Sequence, residues 1–311
     1  MGNQKIRYYS EEGENFADVF INENLTFKCR VSGMNNSGGT VILLHGFPET
    51  SRMWYKLIKV LDSKNFRVIA PDQRGYSPGA RPLKIKDYKI NALTLDIINI
   101  ANLFDANRFH LIGHDWGAAV GWVICSMFKK RVISYSALSV PHLDAFSDAI
   151  SNDEVQKKKS YYIKLFRIRF LPELYFKMFS YSRLRAIWSS INREEIKHYL
   201  KVFSQKNALK AALNWYRATN LRSTRKIGDI FSPTLMIYGI RDVAIGEKAV
   251  NQTAKHIKGP YCIKKINSFG AKLNKKIVKA SVPIKKDVII FFFFIQLRSC
   301  LLYTSDAADE E

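Results

Sequence analysis

Cysteine and proline are scarce in this chain. Its 311 residues contain four cysteines and nine prolines, and the cysteines stand far apart with no C-x-x-C pair. Neither a disulfide scaffold nor a zinc knuckle is therefore predicted, and a reducing, cytoplasmic compartment is expected. With only 16 glycines and 47% hydrophobic residues, the composition excludes a disordered or collagen-like protein. We expect a globular protein.

Long hydrophobic runs are also lacking. The longest, Val288 to Ile295, has eight residues, whereas a membrane-spanning helix needs roughly 20. Residues 1–15 are polar and contain no apolar segment of the kind found in secretory signals. The sequence therefore predicts neither a bilayer-spanning helix nor a signal peptide.

Acidic residues are too few to balance the basic ones. Lysine and arginine number 49 against 27 aspartates and glutamates, a formal charge of +22. Residues 157–226 hold 18 of the basic residues and three acids. No motif of a nucleic-acid-binding module accompanies them, so no nucleic-acid partner is predicted. Two interpretations of the segment stay open: a solvated basic face, or a surface that makes peripheral contact with membranes.

Short β-branched segments alternate with longer amphipathic ones, which is typical of a mostly parallel sheet flanked by helices. Residues 139–229 break this alternation with an aromatic, basic and helical pattern. We predict an α/β core at residues 1–138 and 230–271, with a helical lid at 139–229 over the carboxyl ends of the strands. The predicted strands are Thr40–Leu44, Phe66–Ala70, Phe109–Gly113, Val132–Leu138, Pro233–Tyr238 and Tyr261–Ile266, with a hairpin at Asp18–Val31.

Residues 272–311 have an unusual composition. Phe291–Phe294 and the lysine pairs at 275–276 and 285–286 match translated poly-T and poly-A tracts, and residues 300–310 match a translated sequencing adapter. We interpret this segment as an artefactual tail. The second part of the core is then expected to be truncated at about residue 271.

The segment Gly113-His-Asp-Trp-Gly117 follows a predicted strand and precedes an apolar helix. This is the context of a nucleophile elbow, G-x-Nu-x-G, in which glycines flank a turn too tight for β-carbons. Its central residue is Asp115, a carboxylate that is ionised at pH 7 and needs no base for activation. Such a nucleophile attacks saturated carbon bearing a leaving group, as in an epoxide or an alkyl halide.

A second motif, His45-Gly-Phe-Pro48, ends the first buried strand. At this position the architecture places one half of an oxyanion hole. The backbone N–H groups of Phe47 and Trp116 are predicted to converge on the oxyanion that forms when an ester on Asp115 is hydrolysed.

Together these motifs resemble those of the α/β-hydrolase-fold epoxide hydrolases, over about residues 9–271. The resemblance extends through residues 70–82, the elbow block and Ser139-Val-Pro-His142. It implies an α/β-hydrolase fold and the hydrolysis of a small apolar epoxide to a vicinal diol through an ester on Asp115. The resemblance implies neither a metal ion nor an organic cofactor.

The same resemblance implies two lid tyrosines that hydrogen-bond the epoxide oxygen. Tyr216, in Leu213-Asn-Trp-Tyr-Arg217, matches one motif, and spacing favours Tyr162 over Tyr161 for the other. A phenol suits this role because it is protonated at pH 7 and can donate to the alkoxide as it forms. Asp242, in Tyr238-Gly-Ile-Arg-Asp242, matches the acid that orients the catalytic histidine.

The chain departs from the family in two respects. Arg167 and Arg169 replace the usual Gln and Pro, and would put two cations in the pocket wall and change substrate preference. No histidine follows His256, so the histidine that activates water is missing, and none of the six present is expected to reach Asp115. The prediction is an epoxide hydrolase impaired in hydrolysing its own ester intermediate.

Two alternatives stay open. Haloalkane and haloacid dehalogenases use the same aspartate followed by tryptophan, but the paired tyrosines favour an epoxide. A non-catalytic binding protein of the same fold is favoured by the missing histidine alone.

Overall fold

The computed structural model describes residues 5–188, 191–220 and 226–268. The interpretation of residues 272–311 as an artefactual tail therefore falls outside the described residues. Within the described part, nine strands form one sheet in the spatial order β1-β2-β3-β5-β4-β6-β7-β8-β9. The strands are β1 (Ile6–Glu11), β2 (Glu14–Asn22), β3 (Leu25–Ser32), β4 (Thr40–Leu44), β5 (Arg67–Pro71), β6 (Phe109–His114), β7 (Val132–Leu138), β8 (Thr234–Gly239) and β9 (Tyr261–Ile266).

The sheet is mostly parallel, which confirms the predicted fold class. Strands β4 to β9 pair in parallel, whereas β1, β2 and β3 form an antiparallel extension at one edge. All six predicted core strands are present with bounds shifted by no more than one residue, and the predicted hairpin is β2–β3. Strand β1 was not predicted, because none of its six residues is buried and its apolar signal is therefore weak.

Helices cover both faces of the parallel strands. Along β4, Val41 and Leu43 pack into one apolar cluster, whereas Ile42 and Leu44 pack into the other. This alternation follows from the two-residue period of a strand, and burial on both faces explains why β4 is a continuous apolar run. The flanking helices are α1 (Tyr55–Asp62), α2 (Ile90–Leu103), α3 (Trp116–Met127) and α10 (Glu247–Gln252).

Between β7 and β8 the described residues form helices and no strand. We call these six helices the lid: α4 (Leu143–Asn152), α5 (Glu154–Lys159), α6 (Tyr161–Arg167), α7 (Leu171–Ile187), α8 (Arg193–Phe203) and α9 (Ala208–Ala218). Helix α7 is kinked where Phe179, Ser180 and Tyr181 adopt positive φ angles. No helix among the described residues is both long and apolar enough to cross a membrane.

Two buried indoles fix the lid to the core. Trp188 of the lid donates its Nε1–H to the carbonyl of Pro48 at 3.1 Å. Trp215 donates to the carbonyl of Arg74 at 2.9 Å. Both acceptors belong to loops that follow core strands, so the lid is held directly over the carboxyl ends of the sheet.

A buried histidine in β6 makes stability depend on pH. Burial, and secondarily Arg108, lowers the pKa of His110 from 6.5 to about 4, and its Nδ1 lies 2.8 Å from Ser134 Oγ. The unfolded chain binds this proton below about pH 6.5, so the stability contributed by neutral His110 is complete above that pH and is lost as pH falls through about 4.

We therefore expect the melting temperature of His110→Gln to fall less steeply with acidification than that of the parent chain. Calorimetry over a pH series from neutral to about pH 4, the value to which the pKa of His110 is lowered, measures both slopes. Identical slopes in the two proteins would contradict this assignment.

Candidate active site

A strained turn presents Asp115 at the end of β6. Its φ of 51° and ψ of −119° lie outside the regions that side-chain-bearing residues favour. Glycines allow this turn because no β-carbon fits there. A β-carbon on Gly113 would lie 2.4 Å from the carbonyl oxygen of Gly117, and a β-carbon on Gly117 would lie 2.2 Å from the carbonyl oxygen of Leu44. Helix α3 begins at the next residue, Trp116.

The carboxylate of Asp115 is half-buried and is held by backbone donors. Phe47 donates its N–H to Asp115 Oδ1 at 2.9 Å. Burial raises the pKa of Asp115, while the charge of His114 and the N–H groups of Phe47 and Trp116 oppose that rise. The predicted oxyanion-hole donors therefore both face this carboxylate, at the oxygen where charge would develop in an ester intermediate.

Two lid tyrosines lie above the carboxylate. Tyr162 comes from α6 and Tyr216 from α9, and their ring centroids are 6.2 Å apart. Burial, followed by the negative charge of Asp115, raises the pKa of both phenols, so both keep their protons at neutral pH. Tyr161, the alternative to Tyr162, is 57% exposed.

These side chains enclose a cavity of about 40 Å³. Arg167 and Arg169 are exposed and do not line it, so the prediction of two cations in the pocket wall is wrong. In this conformation the space admits a small group, and a larger ligand requires lid side chains to move. Besides Asp115, Trp116, Tyr162 and Tyr216, the lining is apolar: Ala119, Val140, Leu143, Phe146, Ile163 and Ile245.

Asp242 follows β8 and is buried. Its Oδ1 accepts from the N–H groups of Ala244 at 2.8 Å and Ile245 at 3.0 Å. Burial raises the pKa of Asp242, and these two donors and the charge of His114 oppose the rise. Among the described residues no imidazole is hydrogen-bonded to this carboxylate.

His114 directly precedes Asp115 and is paired with a buried glutamate. Its Nδ1 lies 3.2 Å from Glu49 Oε2, with both side chains buried. Burial opposes protonation of His114, but Glu49 outweighs it and raises the pKa of the imidazole. The charge of His114 in turn lowers the pKa of both Asp115 and Asp242. That no histidine acts on Asp115 as a base stays a prediction.

Glu49 was not predicted as a site residue. It directly follows the His45-Gly-Phe-Pro48 motif, and a carboxylate at that position was the only available signal. Its partner lies 65 positions along the chain, and no local pattern relates the two.

A second group of titratable side chains lies where the lid joins the core. His142, Asp144 and His256 bring ligand atoms within 4.8 Å of one another. However, His142 Nδ1 accepts from the Asp144 N–H and its Nε2 faces the Gly228 carbonyl. Asp144 accepts from the N–H groups of Ile227 and Gly228. The bond from Asp144 occupies the lone pair with which His142 would bind a metal ion, and these bonds join the two ends of the lid.

Comparison with known families identifies this arrangement. The sequence model of a family described as alpha/beta hydrolase fold matches residues 39–268. Epoxide hydrolase A of Mycobacterium tuberculosis is 30% identical over 277 residues, which cover 75% of this chain and 85% of that protein. The chain belongs to the α/β-hydrolase-fold epoxide hydrolase family. The family predicted from the motifs is thereby confirmed.

Two further relatives and one solved structure of the same fold are also similar to this chain. An AB hydrolase superfamily protein of Bacillus subtilis, YfhM, is 34% identical over 78% of this chain and 88% of its own length. Human epoxide hydrolase 4 is 29% identical over 70% of this chain, which spans 63% of that protein. A crystal structure of Bacillus megaterium epoxide hydrolase with an inhibitor superposes with a TM-score of 0.73 at 20% identity, covering 86% of this chain and 94% of that one.

Gly46 lies so close to the elbow that a larger residue at this position is expected to lower the stability of the protein. A β-carbon on Gly46 would lie 2.3 Å from Asp115 Cβ, inside a turn that cannot shift freely. We expect Gly46→Ala to lower the free energy of unfolding by about 1–3 kcal/mol, as overpacking does. Gly246→Ala is the control, because its nearest contact, Oε1 of Gln156, is more distant at 3.1 Å. Equal stability of the two variants in denaturant titrations would count against the steric argument.

Proposed function

We propose that the chain opens an epoxide by attack of Asp115, with Tyr162 and Tyr216 as proton donors. The observation that carries this proposal is the placement of the half-buried Asp115 carboxylate at a nucleophile elbow beside two protonated phenols, the half-buried Tyr162 and the buried Tyr216. The relatives named as epoxide hydrolases support it.

The first step forms an ester. Phe47 holds Asp115 Oδ1, so we assign the attack on an epoxide carbon to Oδ2. The carbon–oxygen bond of the ring breaks, and the departing oxygen takes a proton from one of the two tyrosines while the other donates a hydrogen bond. Burial of the carboxylate favours this step because it removes the water that would otherwise solvate the nucleophile.

The second step is the hydrolysis of that ester. Water adds to the ester carbonyl, and the N–H groups of Phe47 and Trp116 stabilise the oxyanion that forms. Collapse breaks the bond to the alkoxide oxygen, which takes the proton of the added hydroxyl group and leaves as the vicinal diol, so that the Asp115 carboxylate is restored. The other proton of the water returns, through a base, to the tyrosinate left by the first step. A base must take a proton from the water. His114 is poorly suited, because its ion pair with Glu49 raises its pKa and favours the imidazolium, which cannot accept a proton.

A dehalogenase is less well supported. Halide release needs N–H donors from side chains near the His45-Gly pair, and this chain has Phe47 there. The Phe47 ring packs against Phe166, Phe176 and Tyr216 with centroid distances of 5.7–6.0 Å. It therefore forms an apolar wall rather than a halide site, whereas two phenols suit an alkoxide.

The role of Tyr216 can be tested by removing one oxygen atom. Tyr216→Phe deletes the proton donor and keeps the packing against Trp116, so we expect formation of the ester to slow by about 100-fold or more. Tyr181→Phe is the control, because that lid tyrosine is half-buried and contacts the Phe203 carbonyl instead. Single-turnover kinetics with a reactive epoxide measure both; unchanged rates in Tyr216→Phe would remove the assignment.

The two half-reactions should separate in the chain as it stands. Attack needs residues that are all present, whereas hydrolysis of the ester needs the base that the sequence lacks. We expect incubation with an epoxide to yield a stable adduct on Asp115 and little repeated production of diol. Intact-mass measurement and peptide mapping detect the adduct, and Asp115→Asn is the control without a nucleophile.

Two outcomes would contradict this expectation. Steady diol production means that another base acts, and its loss in His114→Gln would identify that base. A folded protein that never forms the adduct would favour the non-catalytic binding protein.

A further inference from the structure

The lid carries a concentration of exposed apolar side chains. Half of the large exposed hydrophobic residues of the described chain lie within residues 161–179, and Phe170 and Phe179 are each 75% exposed. Single exposed apolar residues are ordinary, but a cluster of this kind marks an interaction surface. We call this cluster the outer face: Tyr161, Leu165, Ile168, Phe170, Leu171, Leu174, Tyr175, Met178 and Phe179.

Helix α7 has two apolar sides. Leu171, Leu174 and Tyr175 are spaced i, i+3 and i+4, which places them on one side, and all three are exposed. Phe176 is buried against Phe47 and Phe166, over the cavity. Packing inside the protein explains why Phe176 is apolar, but it does not explain the apolar residues on the exposed side. A helix that is apolar on both sides is ordinarily buried on both.

Positive charge surrounds the outer face. Residues 157–185 contain nine lysines and arginines. Lys157 pairs with Glu154 and Lys159 donates to the Asp242 carbonyl, and the other seven are exposed. The segment contains a single acid, Glu173. That acid is neutralised by a bidentate pair with Arg217 at 2.8 Å. Cations also lie against two of the exposed rings: Lys164 Nζ is 5.6 Å from the Tyr161 ring and the Arg183 guanidinium is 5.3 Å from that of Tyr175.

We propose that the outer face of the lid docks on the surface of an anionic lipid bilayer. A bilayer interface accepts both parts of this surface, because apolar side chains enter the boundary of the acyl chains while lysine and arginine contact lipid phosphates. A second copy of the chain would bring two strongly basic faces together, and the charge repulsion opposes that pairing. Nucleic acid would neutralise the charge but leave the aliphatic side chains in water.

The docking surface is separate from the proposed reaction. The side chains of the outer face do not line the cavity, which is formed by the opposite side of α6 and by α9 and the core. Loss of membrane binding therefore leaves the reaction at Asp115 intact, and failure of the proposed reaction leaves the docking proposal standing.

Co-sedimentation with vesicles tests the proposal. The full chain is mixed with vesicles of phosphatidylcholine and phosphatidylserine, or of phosphatidylcholine alone. We expect binding to the anionic vesicles that weakens as salt rises, because exposed charges are screened over about 8–10 Å near physiological ionic strength. Phe170→Ser/Leu174→Ser removes two exposed apolar side chains that would enter the bilayer, and should lower the partition coefficient by about tenfold or more.

The matched control is Leu83→Ser/Leu95→Ser, which removes two exposed leucines outside the lid. It should bind like the parent. All proteins keep the same residues 269–311, so a difference between the two double variants reports on the lid. Circular dichroism and melting temperature verify that both variants fold, which is expected because the changed side chains are exposed.

Three results would overturn the proposal. They are absence of binding to anionic vesicles at every salt concentration, equal binding by the parent and Phe170→Ser/Leu174→Ser, and a dimer in solution that this variant abolishes. The last result would make a second copy the occupant of the outer face.

Discussion

The tight turn at Asp115 is the constraint on which the rest of the site depends. A residue with a side chain is held at positive φ, and this conformation survives because three glycines allow backbone segments to approach where no β-carbon fits. The turn places the carboxylate outside the end of β6, beside the backbone N–H of Phe47, and starts α3 at the next residue. Strain at one position thus aligns a nucleophile, a donor and a helix N-terminus.

Burial then determines the protonation of the groups around that turn. Removing a carboxylate from water disfavours its charge, and the same burial disfavours ionisation of a phenol. At Asp115, backbone donors and the charge of His114 offset part of the cost. At Tyr162 and Tyr216 the negative charge of Asp115 adds to the effect of burial and raises the pKa of both phenols further. The same site therefore holds a carboxylate close to two protonated phenols, and the proposed ring opening uses this combination.

The opposite sides of the lid helices have different surroundings. Its inner side supplies Tyr162, Phe166 and Phe176 to the site, where the aromatic rings pack edge to face. Its outer side leaves apolar and basic residues in solvent. Because the indoles of Trp188 and Trp215 fix the lid to core loops, the orientation of one side determines that of the other.

What the sequence determined by itself is local. The glycine spacing of residues 113–117 predicts the elbow, the β-branched runs predict the core strands, and both properties arise from a few neighbouring residues. Tertiary structure decided the rest. The orientation of α6 turned Tyr162 toward the site and left Arg167 in solvent. Only the packed structure brought Glu49 against His114. The side that a helix turns toward its neighbour, and the contacts between residues far apart in the chain, depend on how the elements pack. A short stretch of sequence does not contain that information.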